Sequence, residues 1–107
     1  MEDLRIRKTT AEAESYVSKL DTLRAQIDVI DHSILEILGK RMNVSVDIGN
    51  LKKEHNVAVL QSKRWNEILG RMVLEGESQG LSEEFVLRMF KAIHQESINH
   101  QEKIINN

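Results

Sequence analysis

One arginine interrupts the aliphatic residues of a long heptad repeat. Every seventh residue counted from Leu20 and from Leu23 is aliphatic as far as Leu51, except that Arg41 occupies one of these positions. Heptad positions of this kind face a helix–helix core. Because an unpaired buried charge is strongly unfavourable, the guanidinium needs an anion or another compensating partner. If that anion is not a protein carboxylate, it is a ligand, and the helix is one wall of an anion-binding site.

Other cations and neutral donors share the interior faces with Arg41. Lys52 follows Arg41 by eleven residues, which is within ~20° of whole helical turns, so both cations lie on one face about 16 Å apart. Ser97 and Gln101 lie one turn apart on the apolar stripe of a later helix, and a buried amide needs polar partners. No matching interior carboxylate accompanies them. The combination predicts a site for a small anionic molecule.

Each of these residues also has a purely structural explanation when taken singly. A charged residue in a heptad core sets helix register or extends to the edge of the core, and Lys52 beside Lys53 resembles a solvated face. Ser97 and Gln101 can be satisfied by backbone or water. Only their conjunction favours the binding site.

Arg24 lies on a distant part of the same helix. It precedes Arg41 by seventeen residues, which is about 100° around the axis and ~25 Å along it. Arg24 therefore does not reach the same small ligand within one protomer. In an antiparallel dimer, Arg24 of one chain would reach the Arg41 region of the other.

The sequence gives no indication of metal or nucleophilic chemistry. The four histidines (His32, His55, His94 and His100) lack metal-ligand spacing, and there is no phosphate-binding loop or nucleophile elbow. We expect no metal and no cofactor. Trp65 lies at helical spacing and is expected to fill the core rather than to form a ligand platform.

The elements that position these residues are predicted to be helices. The chain of 107 residues has no proline, five glycines and few aromatics, which favours an all-α fold. We expect three helices per protomer: a very long first helix from about Tyr16 to Glu54, a second over Ser62–Glu75, and a third capped by Ser82. Residues 1–15 are expected to be a flexible arm or linker remnant, and residues 16–107 the helical domain.

Composition and helix length limit the kinds of molecule that the chain is expected to bind. The net charge of −2 argues against nucleic-acid binding, and there is no cysteine, signal peptide or membrane-spanning run, so we expect a soluble cytoplasmic protein with no membrane contact. A first helix of 35 to 40 residues spans roughly 50–60 Å, about twice the width of a domain this small. The two later helices cannot cover its apolar stripe. We therefore expect an intertwined helical homodimer.

Several segments occur at fixed intervals along the chain: Leu23–Asp31, Lys40-Arg41, Ile48–Lys52, Lys63-Arg64, Ser97 and Gln101. Together they resemble the all-helical (type II) chorismate mutases. The resemblance extends from about Leu20 to Glu102. It implies an intertwined homodimer with two sites shared between chains. It also implies an isomerase that converts chorismate to prephenate, a Claisen rearrangement in phenylalanine and tyrosine biosynthesis.

The resemblance also implies roles for individual residues. Arg41 and Arg24 of the partner subunit would hold the two substrate carboxylates. Lys52 and Gln101 would donate to the ether oxygen, where negative charge develops. Supporting positions in the site would be those of Ser97 and Arg64.

Two positions depart from the family pattern. Gln61 stands where the family often has an aspartate, and Trp65 stands where it often has a glutamate that binds the ring hydroxyl of the substrate. Gln61 is a neutral acceptor that could take over this contact. We expect hydroxyl recognition to differ from the family pattern, while the cationic part of the site is intact.

Alternative functions stay open on the sequence alone. An isochorismate pyruvate lyase uses the same fold and a similar cationic pocket. A non-catalytic helical dimerisation or regulatory module would use Arg41 only to set register. Because family members occur as fusions, the chain is also expected to be fused to or associated with another enzyme, for example a 3-deoxy-7-phosphoheptulonate synthase.

Overall fold

The computed structural model describes the backbone of residues 2–59 and 62–106, and the side chains of residues 10–59 and 62–106. These residues form three helices and no strand: α1 (Glu2–His55), α2 (Ser62–Ser78) and α3 (Glu83–Asn106). The prediction of an all-α fold with a very long first helix is confirmed. None of the described helices is both long and apolar enough to cross a membrane.

Helix α1 begins earlier than the heptad pattern predicted. We expected a start near Tyr16, whereas the helix begins at Glu2. Residues 2–15 contain no glycine or proline and are rich in alanine, glutamate and basic residues, which are strong helix formers. Heptad periodicity reports only where a helix has an apolar face, so it misses a helical stretch without one. The assignment of residues 1–15 to an arm outside the domain stays a prediction.

The chain divides into two compact units, Met1–Leu38 and Gly39–Asn107. In the first unit, aliphatic heptad residues of α1 are between 49% and 63% exposed; they are Leu23, Ile27, Ile30, Ile34 and Ile37. The second unit contains the last part of α1 together with α2 and α3, which pack against each other. Its buried side chains include three polar ones, Ser45, Ser97 and Gln101.

A left-handed residue ends α1. Asn56 has φ 55°, a conformation that asparagine tolerates better than most residues. The backbone N–H of Val57 then donates to the carbonyl of Lys52 at 2.9 Å, which satisfies one of the last helical carbonyls. The predicted interruption after Glu54 is confirmed, although the helix includes His55. This turn places the following residues, among them Val59, beside the end of α1.

The turn between α2 and α3 follows the local sequence signals. Gly80 has φ 80°, and the N–H of Leu81 donates to the carbonyl of Gly76 at 2.9 Å, as at many glycine-terminated helices. The hydroxyl of Ser82 accepts a hydrogen bond from the N–H of Phe85 at 3.2 Å. The predicted cap at Ser82 is therefore confirmed, whereas α2 ends at Ser78, three residues beyond the predicted Glu75.

Candidate active site

A cavity of about 310 Å³ in the second unit brings most of the predicted site residues together. Its volume is at the lower end of the range for small-molecule sites. The predicted residues that line it are Arg41, Lys52, Arg64, Trp65, Ser97 and Gln101. Other lining residues are Ser45, Ile48, Val59, Ile68, His94 and Ile98. Of the remaining predictions, Arg24 lies on an exposed part of α1 in the first unit, and Gln61 lies outside the described residues.

Arg41 projects from α1 into this cavity as a half-buried cation. Its Nη1 atom is buried and has no hydrogen-bond partner among the described residues. Burial lowers the pKa of Arg41, and the neighbouring positive charge of Arg64 lowers it further. A guanidinium nevertheless stays protonated in proteins. Arg41 therefore offers an unused, partly desolvated charge to an anion.

Lys52 is held at the end of α1 by two acceptors. Its Nζ donates to the backbone carbonyl of Val59 at 2.7 Å and to Oε1 of Gln101 at 3.0 Å. An ammonium has three donors, so one N–H is left for a ligand. Burial lowers the pKa of Lys52. The turn at Asn56 contributes directly to this geometry because it returns the chain to the end of α1.

The polar residues of α3 form a connected hydrogen-bond network with α1. Gln101 is buried, and its Nε2 donates to Oγ of Ser97 at 3.4 Å while its Oε1 accepts from Lys52. The hydroxyl of Ser97 makes a close hydrogen bond with that of Ser45. The sequence predicted that Ser97 and Gln101 share the interior with Arg41 and Lys52, and this is confirmed. Whether they contact substrate stays a prediction.

Gly49 allows α1 to approach α3 at Gln101. A Cβ atom added to Gly49 would lie 3.1 Å from Cα of Gln101 and 3.2 Å from its Cγ. These distances are shorter than ordinary van der Waals contacts between carbon atoms. The sequence places Gly49 within the segment Ile48–Lys52 but predicts no role of its own for it. In the structure it is buried and sets the distance between the two helices at the site.

Trp65 and His94 form one wall of the cavity. Their rings are stacked with centroids 3.8 Å apart and planes 10° apart. The half-buried ring of Trp65 lines the cavity, so Trp65 does more than fill the core, and whether it contacts substrate stays a prediction. Nε2 of His94 is buried without a hydrogen-bond partner among the described residues. Burial lowers the pKa of His94, as do the nearby charges of Arg41 and Lys52, and all three effects favour the neutral imidazole.

Sequence reasoning missed Ser45 and His94. Ser45 follows Arg41 by four residues, and His94 precedes Ser97 by three, so each lies on the same helical face as a predicted residue. This helical spacing is the feature of the sequence from which Ser45 and His94 could have been predicted as site residues. No aspartate or glutamate lines the cavity among the described residues. The site therefore presents cations, N–H donors and an aromatic wall, which suits an anionic ring compound.

Curated relatives contain segments similar to this chain. The chain is 29% identical over 82 residues to a bifunctional chorismate mutase/prephenate dehydratase of Buchnera aphidicola, covering 77% of the chain and 21% of that protein. It is 28% identical over 76 residues to a 4-amino-4-deoxychorismate mutase of Streptomyces venezuelae, covering 71% and 74%. Identity to the T-protein of Haemophilus influenzae is 25% over 83 residues, covering 78% and 22%. The chain thus spans about a fifth of the length of the bifunctional relatives.

A family model agrees with these similarities. The model for chorismate mutase type II matches residues 23–102, which is most of the chain. The matched segment includes Arg24 and the cavity-lining residues from Arg41 to Gln101. The chain belongs to the type II chorismate mutase family.

Proposed function

We propose that this domain is a chorismate mutase, which converts chorismate to prephenate in the synthesis of phenylalanine and tyrosine. The observation that carries the proposal is the buried, unpartnered Nη1 of Arg41 in a cavity without a described carboxylate. Such an atom calls for an anionic ligand. Membership of the family and similarity to relatives named for this activity support the same reaction.

The reaction needs positioning and charge stabilisation. In the rearrangement of chorismate to prephenate, one carbon–oxygen bond breaks and one carbon–carbon bond forms within a single molecule. No proton is transferred to or from the protein. Holding the substrate carboxylates fixes the flexible side chain over the ring. Arg41 supplies one such contact, since guanidinium pairs well with carboxylate.

The ether oxygen of the substrate gains negative charge as its bond to the ring breaks. The unused N–H of Lys52 and the amide group of Gln101 are the donors that stabilise it. Their mutual hydrogen bond fixes them before substrate arrives, so they need little rearrangement during the reaction. Ser97 and Arg64 have supporting positions, and Gln61 stays a proposed contact.

The proposed enzyme is a homodimer whose sites are shared between chains. The aliphatic heptad face of α1 from Leu23 to Ile37 is about half exposed or more, and a face of this kind pairs with another helix. Arg24 lies on the same helix and within the segment that matches the family. Arg24 of the partner subunit supplies the second carboxylate contact in this proposal.

The association of this domain with other enzymes stays a prediction. The names of two bifunctional relatives combine chorismate mutase with prephenate dehydratase, which is a different partner from the predicted 3-deoxy-7-phosphoheptulonate synthase. The predicted cytoplasmic location and the expected lack of nucleic-acid contact also stay predictions.

The test is direct. Purified chain is mixed with chorismate, the loss of chorismate absorbance is followed, and prephenate is identified by mass spectrometry and by its acid conversion to phenylpyruvate. We expect saturable conversion that the Arg41→Met variant loses. A folded chain that converts no chorismate would overturn the proposal. Release of pyruvate from isochorismate, with no prephenate from chorismate, would establish the lyase instead.

A further inference from the structure

We infer that His94 determines specificity in this site: its Nε2 accepts a hydrogen bond from the ring hydroxyl of the substrate, and Trp65 holds the imidazole in the required orientation. This inference rests on the proposed function and deepens it. It assigns the hydroxyl contact to a residue on α3, whereas the family pattern assigns it to the position of Trp65 on α2.

The first observation is the unsatisfied nitrogen. Nε2 of His94 is buried and has no partner among the described residues, although His94 lines the cavity. Buried polar atoms in folded proteins are almost always hydrogen-bonded, so an exception inside a cavity indicates a ligand atom. The only other buried side-chain atom of this kind among the described residues is Nη1 of Arg41. The two unsatisfied atoms therefore belong to one cavity.

Most hydrogen-bond acceptors in the cavity already have a donor from the protein. A ring hydroxyl that donates a hydrogen bond needs an acceptor, and Arg41, Arg64 and Lys52 offer only donors. Oε1 of Gln101 and the carbonyl of Val59 both accept from Lys52.

The serine hydroxyls are also engaged. Ser45 and Ser97 hydrogen-bond each other, and Ser97 accepts from Gln101 as well. Among the described side chains of the cavity, the imidazole of His94 is thus the acceptor that makes no hydrogen bond at Nε2. Its lowered pKa supports the neutral form, in which one ring nitrogen is an acceptor.

Trp65 explains how the imidazole is held. The near-parallel stack, with planes 10° apart, restricts rotation of the histidine ring, which lines the cavity. Trp65 is a positioning residue in this arrangement. A carboxylate at position 65 would sit beside Arg64 and pair with it or with a hydroxyl, whereas the indole leaves hydroxyl recognition to a neutral group.

The experiment compares two substrates across matched variants. One substrate is chorismate, and the other is an analogue that carries hydrogen in place of the ring hydroxyl. His94→Leu removes the acceptor while retaining bulk, and His94→Asn restores an acceptor. We expect His94→Leu to lower kcat/KM for chorismate about tenfold, mostly through KM, and to leave the analogue nearly unchanged. Trp65→Phe should retain the preference of the wild type for chorismate, and Trp65→Leu should reduce it.

The outcomes separate the possible roles of His94. Recovery of the preference for chorismate in His94→Asn supports the inference and excludes a defect of folding. An equal loss for both substrates, or no loss for either, would overturn it. If the wild-type enzyme converts neither substrate, the proposed function itself is overturned. The wild-type control alone therefore distinguishes failure of the proposed function from failure of the inference about His94.

Discussion

Lys52 donates a hydrogen bond from Nζ to Oε1 of Gln101 at 3.0 Å. This contact joins α1 to α3 and fixes which end of the amide is the donor, because the ammonium occupies the amide oxygen. The NH₂ group of Gln101 is then available to Ser97 and to a ligand. A cation on one helix thus sets the orientation of a neutral donor on another.

Replacing Gln101 by glutamate should make the activity of the enzyme increase at acidic pH. The new carboxylate would accept from Lys52 but would offer no N–H, and its negative charge would oppose the charge that develops on the ether oxygen. We expect kcat/KM to fall at least about 100-fold near neutral pH. Activity should rise as the pH falls and the carboxyl gains a proton, which makes it a donor.

The measurement is a pH–rate profile for Gln101→Glu beside that of the wild type. Gln101→Met is the matched control, because it removes the same donor and introduces no titratable group. Its activity should be low and should not increase in acid. An equal increase in both variants would contradict a role for the amide donor.

Substituting Gly49 by alanine should damage the site without unfolding the protein. The added methyl group would lie 3.1 Å from Cα of Gln101, so α3 would have to move by a few tenths of an ångström. We expect about a tenfold loss in kcat/KM. The control is Gly70→Ala, since a Cβ there meets nothing within 4 Å and Gly70 is exposed on α2. That variant should be slightly more stable, by about 0.5–1 kcal/mol, with activity unchanged.

The sequence predicted those parts of the site that depend on local periodicity. Arg41 and Lys52 share one face of α1, and Ser97 and Gln101 share one face of α3, because spacing along a helix fixes direction around it. The contacts between helices were not predictable in this way. The close approach at Gly49 and the stack of His94 on Trp65 depend on how deeply the helices pack, which a single sequence does not specify.

Replacing Arg41 by methionine should separate activity from stability. Methionine retains much of the bulk but removes a half-buried guanidinium that has an unsatisfied buried nitrogen and lies near Arg64. We expect kcat/KM to fall at least about 30-fold, which corresponds to about 2 kcal/mol. The urea midpoint should stay the same or rise, because a desolvated cation is replaced by an apolar group. A lower midpoint with unchanged activity would assign Arg41 a structural role.

The stability of the protein should fall in mild acid partly because of His94. The unfolded chain takes up this proton near the ordinary pKa of about 6.5, whereas the folded chain does so only at lower pH. Between these pKa values the unfolded state binds more protons, so the free energy of unfolding decreases as the pH drops. Burial is the main cause of the lowered pKa of His94; the charges of Arg41 and Lys52 on α1 lower it further, while Trp65 on α2 contributes no charge.

Urea titrations of the wild type and of His94→Leu, at about pH 7.5 and about pH 5.5, isolate this contribution. Other titrating groups cancel in the difference between the two proteins. The free energy of unfolding of the wild type, relative to the variant, should be higher at the upper pH. An equal difference at both pH values would mean that His94 titrates normally in the folded protein.

Mixing two inactive variants should restore activity if each site uses both chains. Arg24→Ala and Arg41→Ala would each lack one carboxylate contact in every site of their homodimers. When the two are unfolded together and refolded in equal amounts, half of the dimers are mixed, and each mixed dimer contains one intact and one doubly defective site. We therefore expect about a quarter of the wild-type activity. Refolding each variant alone is the control, and a mixture no more active than these would place Arg24 outside the partner's site.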